Sequence, residues 1–284
     1  MRTWNEMSRL LLALQALSIA AIAAQSIPPR DGLGWRNEGR DPKKAYVVSR
    51  PTRHDKTRYK STAQFDCGSL AYGLTAEDCN YMASIGIRAQ GENAVATSNG
   101  TGIWIGSDGP NTFTFANAAD VPMTLIIWYR GLGDDQASFV NARAPTISYS
   151  LPTRGSAVNI SLANAVPGGW STLYNHTTTL TQYGQVDNTF GEFSTGEWAT
   201  IDVSRLVTMS GNSMTVTATG GCVADMGKCV YACDTDTDSC GDAGTYNLLG
   251  CKGTNAVQSV DPDGNPTGGC QGWSNGGHLE IFMT

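Results

Sequence analysis

Apolar and polar residues alternate along most of the chain from about residue 101 onwards. In the stretch 146–151, Ile147, Tyr149 and Leu151 fall on one side, and the Thr and Ser residues between them fall on the other. A period of two is typical of a strand that buries one face and exposes the other to solvent. The pattern predicts strands over 101–105, 112–116, 123–129, 146–151, 157–162, 170–174, 198–203, 213–218 and 279–283.

Turn-forming residues separate these predicted strands. The stretch 152–155, Pro-Thr-Arg-Gly, predicts a tight turn between 146–151 and 157–162, so we expect those two strands to form a hairpin. Many short strands between Gly, Pro, Asn and Asp clusters indicate a β-sandwich or a barrel. Residues 61–284, roughly 220 residues without an internal repeat, suffice for one substantial core and predict a single domain.

One short helix is predicted before the first strand. Thr75 is a suitable N-cap with Asp78 three residues later, Leu74 precedes the cap as an apolar staple, and Gly86 offers a left-handed stop. Cys79 would then lie in this helix, within reach of Cys67.

The N-terminus has the three parts of a secretory signal. Arg2 and Arg9 precede an apolar run that ends near the small-residue triplet 21–23, so residues 1–24 are predicted to be a cleaved signal peptide. The run is shorter than a membrane-spanning helix requires, and no later segment is longer. The sequence therefore predicts a soluble, secreted, extracellular protein without a membrane span.

The cysteine count fits an exported protein. Eight cysteines predict four disulfides, and six of them crowd into 222–270, which indicates a loop-rich, disulfide-held C-terminal region. A zinc site at Cys229 and Cys233 is the alternative, but no histidine or second close cysteine pair lies nearby, so neither metal nor cofactor is predicted. The cysteines are Cys67, Cys79, Cys222, Cys229, Cys233, Cys240, Cys251 and Cys270.

Three Asn-x-Ser/Thr tripeptides predict N-glycosylation at surface positions in a eukaryotic secretory route. They begin at Asn99, Asn159 and Asn175.

Charge divides the mature chain in two. Residues 25–60 carry ten Lys/Arg against four Asp/Glu, with few aliphatic residues, which predicts a disordered basic arm or a pro-segment. The arm could bind an anionic polymer, fold back on the acidic remainder, or act as a solvated linker. Nucleic acid is not favoured as a partner of the whole protein, because residues 61–284 hold seven Lys/Arg against 20 Asp/Glu.

Common catalytic motifs are absent from the sequence. It has no nucleophile elbow, phosphate loop, dinucleotide fingerprint or zinc-protease helix. Of its three histidines, His278 alone is a candidate for a Ser-His-Asp triad, and no motif supports it. The stretch 234–238, Asp-Thr-Asp-Thr-Asp, copies the start of a calcium loop but lacks its Gly and final Glu, so we expect an acidic loop held between Cys233 and Cys240.

The candidate ligand-binding residues are Glu192, Glu197, Trp198 and Asp202. Aromatic rings stack on sugar faces and carboxylates accept hydrogen bonds from hydroxyl groups, so this set fits a glycan site. Two carboxylates are also what a glycosidase requires, which makes Glu192 and Asp202 the catalytic candidates if the protein is an enzyme. The alternative is a solvated strand edge with Trp198 in the core.

Several stretches resemble thaumatin-like proteins. Gly191-Glu192-Phe193-Ser194 is similar to the Ala-Glu-Phe-Thr segment of that family, and Asp202-Val203-Ser204 is similar to its Asp-Ile-Ser. The strand pattern 112–128 and the stretch 146–174 resemble its opening strands. The resemblance covers residues 101–284, and the chain looks most like secreted fungal thaumatin-like proteins regarded as candidate effectors.

The resemblance implies a mainly β fold, a thaumatin-like β-sandwich with a disulfide-rich C-terminal lobe and one short N-terminal helix. Thaumatin-like proteins have an acidic cleft, and Glu192 and Asp202 match two of its acids. The family binds β-1,3-glucans, and some members hydrolyse them weakly. We therefore expect a monomeric, non-catalytic protein that binds cell-wall polysaccharide or a host extracellular protein. The alternatives are a weak endo-β-1,3-glucanase and a structural or host-protein-binding protein without a sugar ligand.

Overall fold

Two β-sheets that share one apolar core account for most of the described chain. The computed structural model describes residues 67–88, 102–130, 145–197, 199–234, 237–262, 264–271, 273 and 276–284. The predicted signal peptide, the basic arm, Asn99 and Trp198 lie outside the described residues, so the predictions for them stay predictions.

The first sheet has six strands in the order β1-β5-β2-β15-β9-β10. Its C-terminal strand β15 lies between β2, to which it is parallel, and β9, to which it is antiparallel. Alternate side chains of β15 are buried, as the period of two predicts. The strands are β1 (Ile103–Ile105), β2 (Asn111–Asn117), β5 (Ala157–Leu162), β9 (Met214–Ala218), β10 (Cys222–Asp225) and β15 (Gly277–Met283).

The second sheet has nine strands. Seven follow the order β12-β11-β8-β7-β6-β3-β4, and the hairpin of β13 and β14 joins it through β8. The strands are β3 (Met123–Tyr129), β4 (Ile147–Leu151), β6 (Pro167–Tyr174), β7 (Phe190–Ser194), β8 (Thr200–Ser204), β11 (Val230–Cys233), β12 (Tyr246–Leu249), β13 (Ala256–Val260) and β14 (Pro266–Gln271).

Aromatic side chains fill the core between the sheets. Trp170 is fully buried, lies edge-on to Phe115 with ring centroids 5.5 Å apart, and stacks on Phe193 at 6.1 Å. Its β7 neighbour in the ladder is Gly191, which leaves room for the indole. The strand register therefore depends on a glycine inside a central strand.

Gly191→Ala should lower the free energy of unfolding by about 1–3 kcal/mol, because overpacking forces neighbours to shift. A Cβ at this position would lie 1.9 Å from Cζ2 of Trp170. Urea unfolding monitored by tryptophan fluorescence measures the loss. Gly227→Ala is the matched control, since the nearest atom to its Cβ would be 3.9 Å away. Equal losses in the two variants would contradict this role for Gly191.

The predicted helix is confirmed as α1 (Ala76–Ile85). The Thr75 side chain accepts a hydrogen bond from Asp78 N, and Gly86 ends the helix at φ 91°. The segment covers the outer face of the nine-stranded sheet, meaning the face turned away from the main core. Its contacts form a second apolar cluster that includes Leu74, Cys79, Met82, Ile87, Ile126, Trp128, Leu173 and Phe190.

The predicted hairpin over 146–162 is wrong. β4 pairs with β3 in the nine-stranded sheet, whereas β5 pairs with β1 and β2 in the six-stranded sheet. Apolar residues of both strands, such as Leu151 and Ile160, enter the same core, so the strands face each other across the sandwich. Residues 152–155 therefore form an arch between the sheets. The hairpin prediction failed because alternation indicates a strand but not the strand with which it pairs.

The prediction that one face of 146–151 is exposed to solvent is also wrong. Ser148 and Ser150 are buried, because the helical segment covers that face of β4. Ser150 Oγ accepts a hydrogen bond from Thr75 N at 2.8 Å and donates one to Asp78. These bonds provide the buried serine with partners from the helix start.

Four disulfides join all eight cysteines, as predicted. The pairs are Cys67–Cys79, Cys222–Cys270, Cys229–Cys251 and Cys233–Cys240. The zinc alternative is wrong, since Cys229 and Cys233 belong to separate disulfides. Within the described residues, no group of His, Cys, Asp and Glu side chains could hold a metal ion.

The C-terminal disulfide region contains more regular structure than expected. The sequence predicted loops over 222–270, but five strands, β10 to β14, run through it. The disulfide prediction for this region is confirmed, and its loop-rich character is not. In the described part of the chain, no helix is long and apolar enough to cross a membrane.

Candidate functional site

Glu192 and Asp202 face each other on two central strands. Each is the direct partner of the other in the β7–β8 ladder, where opposed Cβ atoms lie about 4.5–5.5 Å apart. Phe193 and Ile201, the next residues of each strand, belong to the main core. Because side chains alternate along a strand, both carboxyl groups lie on the outer face of the nine-stranded sheet. We call Glu192 and Asp202 the acidic pair.

The acidic pair is buried, with 5% of Glu192 and 7% of Asp202 exposed. Burial raises the pKa of Glu192 to about 8, and the positive charge of Arg130 partly opposes that rise. The pKa of Asp202 rises well above its ordinary value, through burial first and the charge of Glu192 second. A solvated strand edge is therefore the wrong interpretation for these two residues, and Glu192 holds a proton at neutral pH.

Two tyrosines from the disulfide-rich region lie near the acidic pair. Burial, followed by the charges of Asp202 and Glu192, raises the pKa of Tyr231 on β11. The backbone N–H of Gly268 donates a hydrogen bond to the Tyr231 phenol oxygen. Burial, Asp261 and Glu192 raise the pKa of Tyr246 on β12 to about 12. Both phenols therefore keep their protons at physiological pH and remain neutral hydrogen-bond donors.

Buried polar atoms without a hydrogen-bond partner lie in this region. Among the described residues, Asp202 Oδ1, the Tyr246 hydroxyl and Trp128 Nε1 have none. Trp128 lies over Gly169, whose Cβ would be 2.7 Å from the indole Cζ2, and Gly169 pairs with Glu192 in the ladder. A buried polar group without a partner costs free energy. Two donors and one acceptor are thus left without a partner in the interior around the acidic pair.

The structure brings together two of the four residues that the sequence proposed. Glu197 is exposed in the turn between β7 and β8, apart from the buried pair, and Trp198 is not described. Sequence reasoning missed Arg130, Tyr231 and Tyr246. None of them lies in a motif, and only the strand order β12-β11-β8-β7-β6-β3 brings their strands into one sheet.

Two of the predicted glycosylation sites lie on the surface. Asn159 is exposed on β5 and accepts a hydrogen bond from Thr114 Oγ1 at 2.7 Å. Asn175 is exposed in a turn at φ 49°. His278, the triad candidate, is exposed on the six-stranded sheet with Nδ1 2.9 Å from Thr112 Oγ1. It therefore belongs to the sheet opposite the acidic pair.

Similarity to known proteins is found among solved structures. No protein-family model matches the sequence, and no curated protein matches it. Among solved structures, the chain is similar to a thaumatin-like xylanase inhibitor at 14% sequence identity and a TM-score of 0.28, over 60% of this chain and 97% of that one.

Proposed function

We propose that the chain is a secreted, non-catalytic recognition protein that binds a cell-wall glycan of the β-glucan type at the acidic pair. One observation carries the proposal: two carboxyl groups are direct strand partners in a buried position. Burial raises the pKa of both, which favours their protonated forms. A protonated carboxyl donates one hydrogen bond and accepts others, as a sugar hydroxyl does. The neutral phenols of Tyr231 and Tyr246 add donors of the same kind.

The protonation of the pair favours binding over turnover. Glycoside hydrolysis requires one ionised carboxylate, as nucleophile or base, beside one protonated acid. Burial raises the pKa of both carboxyls here, so an ionised partner is disfavoured at neutral pH. The four disulfides support a site of action in an oxidising compartment outside the cytosol.

A weak endo-β-1,3-glucanase is the second candidate. The direct pairing of Glu192 and Asp202 favours it, because retaining glycosidases hold their carboxyl groups about 5–5.5 Å apart. Release of reducing sugar from soluble β-1,3-glucan, lost in Glu192→Gln, would support this candidate over simple binding.

Sedimentation with insoluble β-1,3-glucan, chitin and cellulose at pH 6 tests the proposal. Glu192→Gln/Asp202→Asn keeps neutral polar groups in the pair, whereas Glu192→Met/Asp202→Val removes them at similar size. We expect the amide variant to bind glucan within about threefold of wild type and the apolar variant to lose at least tenfold in affinity. Glu197→Gln, which alters an exposed acid in the adjoining turn, should bind as wild type does.

Three results would contradict parts of the proposed glycan binding at the acidic pair. If the amide and apolar variants both lose binding, the ligand requires a charge rather than a protonated pair. If neither variant loses binding, the glycan binds elsewhere. If wild type binds none of the three polysaccharides, a host extracellular protein becomes the leading partner, as in the effector hypothesis.

A further inference from the structure

An aromatic ring stands exposed on the outer face of the six-stranded sheet, meaning the face of that sheet turned away from the main core. Phe282 on β15 is 43% exposed, whereas its neighbours Ile281 and Met283 point into the core. The direct ladder partners of Phe282 are Ala116 on β2 and Thr215 on β9, and both side chains are too short to cover the ring. The phenyl ring is therefore available for packing by another group.

Asn159 on β5 lies on the same outer face, because Val158 and Ile160 on either side of it belong to the main core. Its side chain is exposed, and its Oδ1 accepts a hydrogen bond from Thr114 Oγ1 on β2 at 2.7 Å. Within the described part of the chain, Asn159 Nδ2 makes no hydrogen bond. An N-glycan is attached to this nitrogen, so the bond to Thr114 orients the amide towards β2 and leaves the attachment atom open.

A short and unobstructed path leads from Asn159 to Phe282. β2 lies between β5 and β15, and Ala116 of β2 is the direct partner of both Phe282 and Ala157. Ala157 lies two residues before Asn159 on β5 and is exposed. The ordinary strand spacing and rise per residue put the Cα atoms of Asn159 and Phe282 about 12 Å apart. A chain of a few sugars spans this distance, and only two alanine side chains lie beneath it.

The tripeptide that would direct glycosylation is partly buried in the folded chain. It begins at Asn159 and ends at Ser161, which is buried and whose Oγ accepts a hydrogen bond from Gly109 N at 3.0 Å. This burial does not prevent the modification, because the transferase acts on the chain as it enters the secretory pathway, before the strands have formed. Folding then buries Ser161 and leaves the attached sugars on the outer face.

We infer that Asn159 carries an N-glycan whose sugars lie across β2 and pack on the ring of Phe282, so that the chain's own glycan covers the outer face of the six-stranded sheet. Sugars stack their apolar C–H faces on aromatic rings, and the exposed Glu280 accepts hydrogen bonds from their hydroxyl groups. The covered face then takes no part in recognition, which leaves the nine-stranded sheet for a partner. The inference depends on the secretory route of the proposed function but not on its glucan ligand.

Two measurements on the full chain secreted from eukaryotic cells test this inference. Mass spectrometry of glycopeptides shows whether Asn159 is modified, and hydroxyl-radical footprinting measures how fast Phe282 is oxidised. The samples are wild type, Asn159→Gln, and folded wild type whose glycans an endoglycosidase has trimmed to one sugar. Asn175→Gln is the matched control, because it removes the predicted glycosylation site in the exposed turn after β6. Tyr72, which is 62% exposed before α1, is the internal reference.

We expect the oxidation rate of Phe282 to rise by about threefold in Asn159→Gln and in the trimmed wild type, and to stay unchanged in Asn175→Gln. The rate for Tyr72 should be the same in every sample. If Asn159→Gln is not secreted, the trimmed wild type decides the question alone. An unmodified Asn159 in wild type would overturn the inference, and so would a Phe282 that is oxidised equally fast with and without the sugars. Neither result affects glucan binding at the acidic pair, which sedimentation tests separately.

Discussion

Glu192→Gln should weaken the pH dependence of stability and make the protein more stable at pH 8.5. The folded chain holds the Glu192 proton to a pKa of about 8, whereas in the unfolded chain the pKa returns to its ordinary value of 4.5. Between these pH values the folded chain binds more protons, so the free energy of unfolding falls as pH rises. At about 1.4 kcal/mol per pKa unit, the loss from pH 5 to 8.5 is on the order of 4 kcal/mol.

Glutamine does not titrate, so this loss should vanish in the variant. We expect the melting temperature of wild type to fall by about 10 °C more than that of Glu192→Gln between pH 5 and 8.5. Calorimetry at both pH values measures the difference. Glu197→Gln is the matched control, because it removes an exposed acid from the adjoining turn and should keep the wild-type profile. Parallel profiles for Glu192→Gln and wild type would mean that Glu192 is ionised in the folded state at pH 8.5.

Cys222→Ala/Cys270→Ala should cost about 4 kcal/mol of stability, the value that chain entropy gives for a loop of this length. The two cysteines are 48 residues apart, and both are buried in the main core. Cys222 begins β10 of the six-stranded sheet and Cys270 lies in β14 beside β8, so this disulfide ties the two sheets together. Its loss frees the unfolded chain and loosens the contact between the sheets.

Cys233→Ala/Cys240→Ala provides the matched comparison. That disulfide spans seven residues, so its removal should lower the free energy of unfolding by about 2 kcal/mol. Urea unfolding of both double variants at pH 5, where Glu192 is protonated in the folded chain, gives the two losses. A larger loss for the Cys233–Cys240 pair would show that local structure around each disulfide outweighs loop length.

Sequence reasoning succeeded where local rules decide the structure. The helix has its cap at Thr75 and its stop at Gly86, as the capping pattern predicts. The boundaries of β3 and β5 match the predicted strands residue for residue, because both are bounded by turn-forming residues. The even count of eight cysteines predicted four disulfides correctly.

Sequence reasoning failed where partners from distant parts of the chain decide the outcome. Ser150 is buried by a helix more than 60 residues earlier, so the alternation of β4 gave the wrong solvation for its polar face. β11 and β12 contain few residues and lie in a cysteine-rich stretch, so their alternation of side chains could not be recognised in the sequence. The sequence predicted Glu192 and Asp202 as site residues. It did not predict their burial, because Tyr231 and Tyr246, which lie near them, come from β11 and β12.

Chemical-shift mapping locates the ligand on the protein directly. A soluble β-1,3-gluco-oligosaccharide is added to the ¹⁵N-labelled mature protein at pH 6, and the backbone amide shifts are followed. A ligand at the acidic pair should give shifts that cluster on β7 and β8 around Glu192 and Asp202 and extend to β11, with β15 unaffected. Shifts confined to the six-stranded sheet, or to residues outside the described structure, would contradict it.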